Sequence, residues 1–80
     1  MILDVSRSHI KVEIRGRVVT VPGEMFFPPN DKMGFAIFER EIKAWDSPNE
    51  SVKLTTEEIN EVIEDIRQDF AKGGHTLEVE

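Results

Sequence analysis

Few residues of this chain have the types and spacing that chemistry requires. The two histidines, His9 and His75, lie beside an alternating apolar run and after a double glycine, with no motif around either. A Ser/His/Asp set can be assembled from the inventory, but no Gly-x-Ser-x-Gly turn presents a serine as nucleophile. There is no His-Glu-x-x-His pair to hold zinc and no Asp-rich loop with calcium-binding spacing. The absence of cysteine excludes thiolate nucleophiles, thiolate metal sites and disulfides. The glycines stand singly or as Gly73-Gly74, which makes no phosphate cradle. The expectation is a protein that is not an enzyme and holds no metal or cofactor.

What remains is charge, and it is unevenly placed. Thr55 to Glu80 holds Arg67 and Lys72 against Glu57, Glu58, Glu61, Glu64, Asp65, Asp69, Glu78 and Glu80. That excess of six acids equals the whole formal net charge of −6, while Met1 to Leu54 is balanced. Glu57 and Glu58 offset the positive end of a helix dipole and need no partner. Glu61, Glu64, Asp65 and Asp69 lie further in. Glu57/Glu61, Glu61/Asp65 and Asp65/Asp69 are like-charge i,i+4 pairs, each mildly destabilising. The face is therefore either a solvated surface or a surface for a basic partner.

Trp45, the single tryptophan, has two readings of its own. It is a core residue, or it is an interface anchor presented by the polar turn Lys43-Ala44-Trp45-Asp46-Ser47-Pro48. Phe26 and Phe27 either cap the core or form an apolar patch, and the core is the favoured reading. Lys11 and Arg15 share a strand face with Arg17 just beyond a turn, a small cationic stripe diluted by Glu13. Without tyrosine, and with the net charge negative, a nucleic-acid platform is weakly supported.

These side chains need positioning elements. Ile10, Val12 and Ile14 alternate with Lys11, Glu13 and Arg15, the period-two pattern of a half-buried strand. Arg15-Gly16-Arg17 and then Val18-Val19-Thr20-Val21 predict a hairpin with one residue at positive φ. Ile2 to Val5 predicts an earlier strand. Pro22-Gly23 fits the central pair of a type II turn. The prolines and the Asn30-Asp31 pair predict a loop, after which Gly34 to Phe38 resumes strand character. Ser47-Pro48 marks a break.

Thr55 with Glu58 three residues later predicts a capping box. Ile59, Val62, Ile63, Ile66 and Phe70 form one helical stripe. Gly73-Gly74 stops the helix, and Thr76 to Val79 forms a last strand. The expected fold is α+β: a small antiparallel or mixed sheet of about five short strands, one C-terminal amphipathic helix packed on a face, and a final short strand.

Eighty residues make one domain, 1–80, near the lower limit for a self-sufficient core. Met1-Ile2-Leu3-Asp4 has neither the basic nor the apolar segment of a secretory signal, and no stretch approaches a membrane span. The expectation is a cytoplasmic protein bound to neither membrane nor nucleic acid. Exposed sheet edges leave a homodimer open.

The order and spacing of several short features resemble a known family. They are Gly16-Arg17-Val18-Val19, Val21-Pro22-Gly23-Glu24, Gly34-Phe35, Ile42-Lys43-x-Trp45-Asp46-x-Pro48, the start Thr55-Thr56-Glu57-Glu58, and the ending Leu77-Glu78-Val79-Glu80. Together they are similar, over nearly the whole chain, to the small α+β immunity proteins of bacterial polymorphic-toxin and contact-dependent inhibition systems. The resemblance implies a non-enzymatic inhibitor that binds a cognate toxin domain, many such toxins being nucleases with basic clefts. Trp45, Asp46 and Pro48 are the positions the family pattern suggests. With Glu57, Glu61, Glu64 and Asp65 they make the expected partner-binding set. A generic adaptor domain using the acidic helix face is the alternative, and a nucleic-acid binder using Lys11, Arg15 and Arg17 is a third.

Overall fold

The computed structural model describes residues 1–29 and 32–80. Its elements are β1 (Ile2–Val5), β2 (His9–Ile14), β3 (Arg17–Phe26), β4 (Gly34–Ile37), a 3₁₀ turn at Glu39–Glu41, α1 (Thr56–Gly73) and β5 (Thr76–Val79). The strands form one sheet in the order β1-β2-β3-β4-β5. The first four are antiparallel neighbours, whereas β5 lies parallel to β4. A parallel neighbour needs a crossover, and α1 supplies it. The architecture is the expected α+β mixed sheet with one helix and a closing strand.

The core sits between the sheet and α1. Ile10 and Val12 of β2, Val19 and Val21 of β3, and Phe35 and Ile37 of β4 are fully buried. They meet Val62, Ile63, Ile66 and Phe70 of the helix, with Ile42, Trp45 and Leu54 from the connecting segment. Both ends of α1 form as the sequence predicts. Thr55 accepts from the Glu58 N–H at 3.1 Å, and the Glu58 carboxylate accepts from the Thr55 N–H at 2.9 Å. Gly74 takes φ of +74°. The Gly74 and His75 N–H groups donate to the Ala71 and Phe70 carbonyls, closing a Schellman motif. The Phe70 and His75 rings meet edge-on across it, with centroids 5.6 Å apart.

Several local expectations are corrected. Pro22-Gly23 is no turn, because both residues lie inside β3. Gly23 is needed there for close approach: a Cβ would stand 2.2 Å from the Ala36 carbonyl oxygen and 2.3 Å from Cε1 of Phe35. The hairpin turn has two residues at positive φ, Arg15 at 50° and Gly16 at 82°. Two such residues let a two-residue loop follow the twist of the strands it joins. Phe26 ends β3 half-buried, but Phe27 is 75 % exposed and caps no core. Strand β4 stops at Ile37, one residue short of Phe38. The Asn30-Asp31 part of the expected loop lies outside the described residues.

Strand β3 joins two halves of the sheet. Arg17 to Pro22 pair with β2, and Gly23 to Phe26 pair with β4. The molecule is accordingly elongated, about 42 × 20 × 20 Å.

Candidate functional site

The helix offers its acids to the side away from the core stripe. Glu57, Glu61 and Glu64 are exposed and Asp65 is half-buried at the helix–sheet seam. Like charges one turn apart require relief, and the sheet provides it. Arg15 reaches from the hairpin turn to grip Glu61 with both nitrogens, at 2.6 and 3.0 Å. Its hydrogen bond to Glu61 raises the Arg15 pKa above the usual arginine value; the charges of Glu61 and Glu58 add to the rise and desolvation opposes it. The α-amino group of Met1 lies 2.6 Å from Asp65 Oδ2 and donates to the Glu13 carbonyl at 2.7 Å. Arg67 stands 3.5 Å from Glu64. Glu57 and Asp69 have no ion pair among the described residues.

The face is thus divided. Glu61 and Asp65 tie the helix to the sheet, while Glu57 and Glu64 stand toward solvent. Beside them Glu13, Ile14, Glu61, Glu64, Asp65 and Gln68, with Met1, line a groove of about 460 Å³. Four carboxylates border it, Glu61 and Asp65 already paired with Arg15 and the Met1 amino group, and the remaining negative charge favours cations over phosphate.

The Trp45 segment is structural at its centre. Trp45 is only 3 % exposed and belongs to the core. Asp46 completes the sheet edge where β3 has no strand beside it. Its N–H donates to the Val18 carbonyl at 2.7 Å, and its carboxylate accepts from the Thr20 N–H at 3.0 Å and the Thr20 hydroxyl at 2.6 Å. Pro48 is exposed and follows a cis Ser47–Pro48 bond. Of the seven expected partner-binding residues, the helix gathers four on one side, and Trp45, Asp46 and Pro48 lie in the loop leading to the helix.

Sequence reasoning missed Arg15, Glu13 and Arg17 as members of this region. The cationic stripe of Lys11, Arg15 and Arg17 does not form. Lys11 is exposed on the outer face opposite Asp4, Arg15 turns to the helix, and Arg17 lies over the Trp45 ring, 5.8 Å from its centroid. The local signal for Arg15 was its place before glycine in a two-residue turn, which sends the side chain off the strand alternation. Both histidines are engaged locally: His9 meets Ser6 Oγ at 2.9 Å and His75 meets the Met33 carbonyl at 3.1 Å. Among the described residues no helix is long and apolar enough to cross a membrane, and no group of three His, Asp or Glu is placed to hold a metal ion.

The site is thus a surface groove lined by acids on a small sheet–helix domain, and both histidines are held by contacts within the fold. The family model of immunity protein 74 matches residues 2–80, and the chain belongs to that family. Membership supports the role of an immunity protein, which neutralises a cognate toxin protein. No curated protein and no solved structure matches the chain.

Proposed function

We propose that this protein neutralises a toxin domain with a basic active-site cleft, in the first instance a nuclease, by laying its acidic helix face over that cleft. The carrying observation is the groove bordered by Glu13, Glu61, Glu64 and Asp65, flanked by Glu57, which has no ion pair among the described residues. A nuclease cleft must attract phosphate, so it carries the cations this groove would receive. Complementary charge steers encounter and speeds association, and the helix then blocks substrate sterically. Inhibition of this kind uses contact alone and needs no catalytic group in the inhibitor. The binding set is Glu57, Glu61, Glu64 and Asp65, with the exposed Pro48 turn and the Trp45-Asp46 segment behind it.

The test is co-expression with the C-terminal domain of a large toxin encoded beside this chain. Host survival with a co-purifying one-to-one complex supports the proposal. A toxin domain that acts on something other than nucleic acid, in an equally stable complex, removes the nuclease target. Toxicity undiminished by this chain removes the neutralising role against that toxin.

A further inference from the structure

One buried polar group lacks a partner. Trp45 Nε1 has no hydrogen-bond acceptor among the described residues, although buried donors are almost always paired. Trp45 lines a second cleft, about 270 Å³, between the β2–β3 hairpin and the start of α1. The other walls are Ile14, Arg15, Arg17 and Glu58.

The residues that line this cleft carry more donors than free acceptors, with Trp45 Nε1 itself closed to solvent in the free protein. Arg15 is satisfied by Glu61, and Glu58 is committed through one oxygen to the Thr55 N–H. Arg17 has no hydrogen bond or ion pair among the described residues, only its contact over the indole ring. An indole N–H and a guanidinium both donate and cannot accept. A ligand that satisfies them must be an acceptor, and the guanidinium fork selects a planar one with two oxygens. Glu58 on the opposite wall disfavours the multiple charge of a phosphate.

We infer that this cleft is a carboxylate-binding subsite that takes an Asp or Glu side chain of the bound toxin. The inference rests on the proposed toxin-binding role. Arg17 covers the indole in the free protein, and the entering carboxylate draws the guanidinium off the ring and accepts from both it and Trp45 Nε1. The subsite lies beside the acidic groove and carries the opposite preference. A basic partner with one correctly placed acid would satisfy both, which would distinguish the cognate toxin from other basic proteins.

The single tryptophan gives one indole ¹H–¹⁵N resonance, so the test needs no probe. The ¹⁵N-labelled chain is titrated with sodium acetate, with sodium chloride at matched ionic strength as the reference. A saturable shift of the indole resonance in acetate alone is expected. Arg17→Met should weaken half-saturation about tenfold, the loss of a charge-assisted hydrogen bond, and Glu58→Gln should strengthen it. An indole resonance that moves no further in acetate than in chloride overturns the subsite, as does an Arg17→Met titration that matches the parent. The same resonance is then recorded in the toxin complex. A shift in acetate with none in the complex overturns the toxin side chain as its source. Failure to form any complex counts against the toxin-binding role instead, and the acetate titration still judges the cleft.

Discussion

The carboxylate of Asp46 holds Thr20 as a neighbouring strand would, accepting from its backbone N–H and its hydroxyl at 3.0 and 2.6 Å. This stretch of β3 would otherwise present an open edge, and one aspartate closes it without a further strand. Asp46→Ala leaves the half-buried Thr20 N–H without that acceptor and should cost about 2–3 kcal/mol in urea unfolding. Asp46→Asn keeps one acceptor and should cost about 1 kcal/mol. Equal losses from the two would show that the carboxylate does not act through these bonds.

Arg15 combines a left-handed backbone with an ion pair exposed to solvent. Exposed pairs contribute little, whereas the backbone requirement is strict. Arg15→Asn creates the Asn-Gly pair most suited to this turn and should hold or raise Tm. Arg15→Val should lower Tm by about 5 °C, because a β-branched residue resists positive φ. If both variants fall equally, the Glu61 contact outweighs the turn.

Gly23 and Gly16 should respond differently to alanine. At Gly23 the new methyl meets the Ala36 carbonyl and the Phe35 ring, and a strand shift costing about 3 kcal/mol or more is expected. At Gly16 nothing lies within 4 Å, so only the positive φ opposes the change, at about 1 kcal/mol. Chemical denaturation of the two variants compares them directly.

The divided acidic face separates binding from folding. Glu57→Lys with Glu64→Lys should slow association with the toxin about tenfold and flatten its salt dependence, with stability nearly unchanged. Glu61→Lys with Asp65→Lys should do the same and also lower stability, since Arg15 and the Met1 amino group would then face like charges at contact distance. Stopped-flow association across ionic strengths, beside thermal unfolding, distinguishes the pairs.

What was legible in the sequence was what is local. The Thr55–Glu58 box, the glycine stop, the helix stripe and the strand alternation each depend on residues within about a turn of one another. Pro22-Gly23 misled because its turn signal is local, while its use in β3 is set by β4, a strand reached only after an intervening loop. The Arg15–Glu61 grip spans 46 positions, and no pattern in the chain announces it. Trp45 reads in sequence as either core or surface because burial depends on what folds over it. The family resemblance pointed to the toxin-neutralising class, which residue chemistry alone did not reach.

Because β2 holds the first part of β3 and β4 the last, the two flanks of the sheet share no other strand. Loosening either flank leaves the other paired, but loosening β3 releases both. Amide hydrogen exchange should therefore be slowest along the buried positions Val19 and Val21, and faster in β1 and β5 at the two margins. The Asp46 bonds fall on the stretch of β3 that β2 pairs from its other edge, so the loop leading to the helix is fastened to the same half of the molecule as the acidic groove. A partner seated on that groove would slow exchange in the β1–β2 half first, leaving the β4–β5 half to breathe at its free rate.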